Sequence, residues 1–183
     1  MYQLKNNLGS FVEKIMSNTA EYYIQNNIAY LRKSHPEYIH LSKKAQRHSN
    51  LFENEGDTYS MRVCSKGDLD FYGVYKGRYF SFELKETQKP VFALSLVKDH
   101  QLEQLKRIDS CGGLAFLLIH FCDNDSRFIL LSYPELLKLL ELKRAKRFSI
   151  TDLEKVKSYE LKIVFPSVFN LFEQLDQILS DSK

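Results

Sequence analysis

The spacing of apolar residues along this chain changes several times, and each change marks a new element. Phe11, Ile15, Thr19, Tyr22 and Tyr23 recur at helical spacing, and Ser10-x-x-Glu13 has the form of a capping box. A helix over about residues 10 to 27 is expected. From Tyr30 to Val63 the chain is polar, basic and weakly periodic, which predicts an extended, partly mobile excursion at about residues 30 to 62. Two aromatic-rich runs then flank Lys76-Gly77, a pair suited to a tight hairpin turn. Asp99 is placed to cap a helix over Gln101 to Ser110, with Leu102, Leu105 and Ile108 facing the core. Gly112-Gly113 leads into the strand LAFLLIHF, and RFILLS follows an Asp-Asn-Asp turn. Helices are expected at Pro134 to Lys143 and, behind Thr151-x-x-Glu154, at Thr151 to Lys157. A short strand ELKIVF and a helix from Ser167 to Leu179 close the order, with Phe165, Phe169 and Phe172 as a core-facing helical stripe. This succession predicts a mixed α/β or α+β sheet with helices on its faces.

The hairpin carries the candidate chemistry. With Lys76-Gly77 as the loop, antiparallel register sets Tyr75 opposite Arg78 and Phe71 opposite Phe82; continued outward, it sets Asp70 opposite Glu83 and Asp68 opposite Lys85. Alternation then puts Asp68, Asp70, Glu83 and Lys85 in one polar patch, apart from the Phe80, Phe82, Leu84 face. Opposed carboxylates at about 5 Å and an effective dielectric near 20 repel by roughly 3 kcal/mol. A hard divalent cation such as Mg²⁺ relieves that repulsion and can activate water against a phosphoryl group, with Lys85 orienting the water or stabilising charge. The other reading of the same residues is an ordinary hairpin on which Asp68 and Asp70 make surface salt bridges with Lys85 and Arg78.

Composition and charge narrow the class. Across 183 residues, 44% are hydrophobic and 27% charged, which suits a single globular domain. The apolar run GLAFLLI is far shorter than the roughly 20 residues of a membrane helix, and the N-terminus lacks a signal-peptide pattern, so a cytoplasmic protein is expected. Cys64, Cys111 and Cys122 show no CxxC spacing and read as plain thiols rather than disulfides or zinc ligands. The net charge of +3 is unevenly spread: Arg32, Lys33, Lys43, Lys44 and Arg47, with His35, His40 and His48, face the single acid Glu37. Lys143-Arg144-Ala145-Lys146-Arg147 forms a second cluster. Such patches suit a polyanion, and equally suit a solvated loop and a helix C-terminus. Tyr30, Tyr38 and Phe52 could stack on unpaired bases or pack in a core.

The central motif, Asp70-Phe-Tyr-Gly-Val-Tyr-Lys-Gly-Arg-Tyr followed by Phe82-Glu83-Leu-Lys85-Glu86-Thr87, resembles the DYNGVYKGKY and FEAKET segments of the RecU Holliday junction resolvases, within the PD-(D/E)XK nuclease superfamily. Asn7-x-Gly9-x-x-x-Glu13, Asp99-His100-Gln101 and Lys146-Arg147-Phe148-Ser149-Ile150 are similar to further segments of that family. The resemblance implies a restriction-endonuclease-like mixed sheet flanked by helices, with a protruding stalk. It also implies a homodimeric, Mg²⁺-dependent endonuclease, with Mn²⁺ able to substitute, that makes paired nicks in four-way junction DNA during recombination and repair, possible recombination proteins being further partners. Asp70, Glu83 and Gln101 would be metal ligands, Lys85 the catalytic lysine, and Asp68 a carboxylate where the family commonly has a Thr of the metal site. Glu13 would approach from the first helix, or serve only its capping box. Arg32, Lys33, Lys43, Lys44 and Arg47 in the excursion would grip the junction. Leu8 replaces a family Arg, and Ser34-His35-Pro36-Glu37 replaces a longer proline-rich segment; both departures bear on junction handling.

Overall fold

The computed structural model describes residues 8–35, 38–40, 61–63, 68–122 and 126–181. Helix α1 (Leu8–Gln25) leads into β1 (Tyr30–Lys33), and a separate antiparallel ribbon joins β2 (Tyr38–His40) to β3 (Met61–Val63). There follow β4 (Phe71–Tyr75), β5 (Arg78–Thr87), β6 (Val91–Ala93), α2 (Asp99–Ser110), β7 (Leu114–Phe121) and β8 (Arg127–Ser132). The chain continues through α3 (Tyr133–Lys143), β9 (Arg147–Ser149), α4 (Ile150–Leu153), β10 (Ser158–Leu161), β11 (Ile163–Val164), β12 (Val168–Phe169) and α5 (Leu171–Asp181). Six strands form the main sheet in the order β1-β4-β5-β7-β8-β10. Among the described residues only β5 and β7 pair in parallel, as expected for strands joined by a crossover that contains a helix.

The two central strands are covered on both faces, which is why LAFLLIHF reads as a continuous apolar run. On one face Phe80, Phe82, Phe116 and Leu118 pack with Val12 and Met16 of α1 and Leu171 and Leu175 of α5. On the other, Leu117, Ile119 and Phe121 pack with Leu105 of α2 and Leu136 and Leu139 of α3. The architecture is a mixed α/β sheet flanked by helices.

The hairpin register is the expected one from Tyr75↔Arg78 to Phe71↔Phe82. Lys76 and Gly77 have φ of 47° and 76°, positive at both central turn positions. Gly73 is required by crowding, because a Cβ there would lie 2.2 Å from the Tyr30 carbonyl oxygen and 2.6 Å from Phe80 Cζ.

Several boundaries differ from expectation. Helix α1 begins at Leu8, so Ser10 lies inside it and is not its cap. Residues 30–33, assigned from sequence to the excursion, are an edge strand of the main sheet, because Leu31 packs its side chain into the core. Lys98, rather than Asp99, is the N-cap of α2. Helix α4 starts one residue earlier and is only one turn long, because Ser149 and Asp152 form the capping box in place of Thr151 and Glu154. ELKIVF is split at Lys162 between β10 and β11, and α5 begins only at Leu171. Phe169 and Phe172 are core residues, but Phe165 is 96% exposed in the turn between β11 and β12; its helical spacing from Phe169 reflects no helix. The Asp-Asn-Asp turn at residues 123–125, Lys43, Lys44, Arg47, His48, Phe52 and Cys64 lie outside the described residues.

Candidate active site

Strand β5 sets the site by alternation. Phe80 and Phe82 enter the α1-side core, while Glu83 and Lys85 turn toward α2. Glu83 is buried, with 1% of its surface accessible, and Lys85 Nζ donates to Glu83 Oε1 at 2.6 Å. Gln101, in the first turn of α2, also donates to Glu83 Oε1 through Nε2. Its amide oxygen accepts from the Lys98 backbone N–H at 2.9 Å, so in this structure the nitrogen, not the oxygen, faces the carboxylate.

Asp70 ends the ladder instead of extending it. Strand β4 pairs with β5 only as far as Phe71, and Asp70 Oδ2 accepts the Leu84 N–H at 2.8 Å, replacing a strand partner. The Asp70 carbonyl accepts from Ser34 N–H at 2.8 Å, which ties this corner to the exit of β1. Asp70 remains close enough to Glu83 for its charge to act there. Burial, and then the Asp70 carboxylate, push the Glu83 carboxyl up to about 7 against the opposing pull of Lys85.

Asp68 does not meet Lys85. It is exposed, and its Oδ1 accepts from Gln104 Nε2 of α2 at 2.9 Å, because the extended pairing that would have brought it across stops at Phe71. Arg78 lies at the far end of β5, beside the turn, so the surface salt-bridge reading of this hairpin fails on geometry. Glu13 enters from α1: with Val12, Asp70, Leu84, Lys85 and Glu86 it lines a cavity of about 130 Å³. Its carboxylate accepts from Lys33 Nζ of β1, which takes it out of the expected capping role. Both partners of that pair are about two-fifths exposed, so its contribution to stability is small. Arg32 lies on the same exposed strand, its guanidinium carbon 5.8 Å from the Tyr30 ring centre.

The residues fit a hard divalent cation. Glu83 Oε2 is buried without a hydrogen-bond partner among the described residues, a costly state for a carboxylate oxygen. Burial and the neighbouring Asp70 carboxylate, which raise its value to about 7, leave a negative charge that Lys85 only partly offsets. Two carboxylates, Asp70 and Glu83, supply oxygen donors of the kind such an ion takes, and Asp68 and Glu13 stand at the margins.

Sequence reasoning missed Gln104, and it missed a second polar group at the other face of β5. Cys122 Sγ lies 2.9 Å from Glu86 Oε1 and 3.2 Å from His120 Nδ1. The available signal was period two: Glu86 continues the Phe82, Leu84 row, and His120 and Cys122 continue the Phe116, Leu118 row.

An Asp, a buried Glu and a Lys thus meet around the end of a hairpin in a mixed sheet. The family model "RecU: Recombination protein U" matches residues 7–177. The chain belongs to the RecU family. It is 33% identical over 130 residues to the Holliday junction resolvase RecU of Ureaplasma parvum, covering 70% of this chain and 75% of the relative. The Holliday junction resolvase RecU of Mycoplasmopsis pulmonis is 24% identical over 178 residues, 97% of this chain and 99% of its own. Among solved structures, the Holliday junction resolvase Hjc of Archaeoglobus fulgidus is similar over 49% of this chain and 68% of that one, at 12% identity and a TM-score of 0.35.

Proposed function

We propose that this protein is a divalent-cation-dependent DNA endonuclease that resolves four-way junctions by paired symmetric nicks, acting as a homodimer in recombination and repair. The observation that carries the reading is the buried Glu83, with one oxygen unpartnered, set beside Asp70 and Lys85 in a chain of the RecU family. Asp70 and Glu83 would hold the ion, Mg²⁺ or Mn²⁺, which would supply Lewis-acid chemistry and an acidified water. Lys85, held by Glu83 at the rim of the cavity, places an ammonium where negative charge develops on the phosphoryl oxygens. Gln101 steadies Glu83 from α2, and Asp68 is held at the outer edge by Gln104. Glu13 and Lys33 sit where the DNA backbone enters, and Arg32, Lys43, Lys44 and Arg47 supply further cations for phosphates. In hydrolysis the water oxygen bonds to phosphorus as one ester phosphorus–oxygen bond breaks, the attacking water's proton leaving to solvent and the departing ester oxygen taking a proton from solvent to become a hydroxyl.

Two symmetric cuts need two sites related by a two-fold axis, so a dimer is part of the reading. Among the described residues no helix is long and apolar enough to cross a membrane. The test is cleavage of a labelled mobile junction at fixed salt with Mg²⁺ or Mn²⁺, beside duplex and flap controls. Wild type should cut the junction preferentially at symmetric positions. Glu83→Gln and Lys85→Ala should bind it with unchanged affinity and cut at least about 10²-fold more slowly. Wild-type protein that binds the junction and leaves it whole under both ions overturns the hydrolytic reading.

A further inference from the structure

On the face of the sheet away from Glu83 and Lys85, the ends of β5 and β7 bring together a carboxylate, an imidazole and a thiol. Glu86 and His120 are neighbours in the parallel ladder, and Cys122 continues it, its N–H donating to the Thr87 carbonyl at 2.9 Å. Cys122 Sγ lies 2.9 Å from Glu86 Oε1 and 3.2 Å from His120 Nδ1, and His120 Nδ1 lies 3.6 Å from Glu86 Oε2. These ligand atoms all fall within 4.8 Å of one another.

We propose that Glu86, His120 and Cys122 form a binding site for a thiolate-coordinating divalent ion of the zinc class, different in its donors from the oxygen-donor site at Asp70 and Glu83, whose neighbouring cavity Glu86 also borders. Zinc bonds of about 2.3 Å to sulfur and about 2.0–2.1 Å to nitrogen or oxygen, at tetrahedral angles, place ligand atoms about 3.3–3.6 Å apart. The Cys122 Sγ–His120 Nδ1 separation of 3.2 Å lies close to that range, and one oxygen of Glu86 completes a set whose atoms all fall within 4.8 Å of one another, within reach of side-chain adjustment. The Cys122 thiol donates to Glu86 Oε1, while Glu86 Oε2 is buried without a hydrogen-bond partner among the described residues. A cation answers that deficit.

The histidine is also oriented for the task. His120 Nε2 lies 2.9 Å from Ser126 Oγ, and the ring stacks on Phe128 at 4.4 Å between centroids. With the proton on Nε2 donated to Ser126, the Nδ1 lone pair faces the cluster, the arrangement in which an outer hydrogen bond fixes a metal-ligating imidazole. The thiol proton is released to solvent as the sulfur–metal bond forms. Three protein ligands leave a fourth position open to water. A sulfur donor also separates this site from the first: Mg²⁺ takes oxygen ligands, while Zn²⁺ and Co²⁺ accept thiolate. An ion here would link the end of the strand carrying Glu83 and Lys85 to its central neighbour.

The test is titration of reduced protein with Co²⁺ as a spectroscopic probe, in excess Mg²⁺. One equivalent per chain should give a sulfur-to-cobalt charge-transfer band with tetrahedral ligand-field absorption, and Zn²⁺ should displace it. Cys122→Ser should abolish the band. Glu86→Gln, which keeps the thiol and the side-chain shape, should weaken Co²⁺ binding at least about tenfold. The double variant Cys64→Ser/Cys111→Ser should keep the full spectrum, and so should Glu83→Gln, which makes this outcome independent of whether the chain cleaves DNA. Zn²⁺ should raise the Tm of wild type and not that of Cys122→Ser. No thiolate band in wild type, or a band that survives in Cys122→Ser, overturns the proposal.

Discussion

At the scale of single residues, Glu83 is the most consequential group in the chain. Its folded value of about 7 lies above its ordinary 4.5, so the stability it contributes by being buried neutral is full below about pH 4.5 and is lost as pH rises through about 7. Without divalent ions, the Tm of wild type should therefore fall between about pH 5 and pH 8 more steeply than that of Glu83→Gln. On the proposed reading Mg²⁺ binds the ionised carboxylate, so it should raise the wild-type Tm more at about pH 8 than at about pH 5. Parallel melting profiles for the two proteins would exclude Glu83 as the source. Gly73 is a second decisive position, because Gly73→Ala drives a methyl group into the Tyr30 carbonyl and the Phe80 ring. The expected cost is about 1–3 kcal/mol, a fall in Tm of roughly 2–10 °C by calorimetry. Glu83 and Lys85 were legible in the sequence because a two-residue turn fixes register and alternation fixes faces, while Asp70 stays beside Glu83 through its bond to the Leu84 N–H rather than through the ladder. The placement of Asp68 was not, because it depended on whether the ladder continued past Phe71.

At the scale of elements, long apolar patterns fixed their own identity and short ones did not. Strands β7 and β8 fall where their runs place them, since both are buried along most of their length. Helix α4 is decided by competing caps. Ser149 Oγ accepts the Asp152 N–H at 3.3 Å, and Asp152 Oδ2 accepts the Ser149 N–H at 3.0 Å. Lys143 and then the Ser149 amide hold the Asp152 carboxyl well below its usual range. That contribution is present above the ordinary carboxylate value and is lost as pH falls below it. Ser149→Ala should destabilise the protein by about 1 kcal/mol, while Thr151→Ala should cost less than half as much in urea unfolding. Equal costs would return the cap to Thr151.

At the scale of the whole molecule, the proposed pair of nicks requires two chains. Sedimentation equilibrium should give twice the 21.5 kDa chain mass, and a variant held monomeric should nick a junction on one strand without resolving it. A wild-type monomer that resolves junctions fully would remove the dimer from the mechanism. The sequence by itself determined the central hairpin, the two apolar strands and the shared face of Glu83 and Lys85, because local turn chemistry and period-two alternation need no distant partner. Only the tertiary structure decided that β1 closes the sheet edge beside Asp70, that Lys33 meets Glu13, and that Glu86, His120 and Cys122 converge. Those three facts depend on residues far apart in sequence being brought together by strand order, and no local pattern encodes which strand lies next to which.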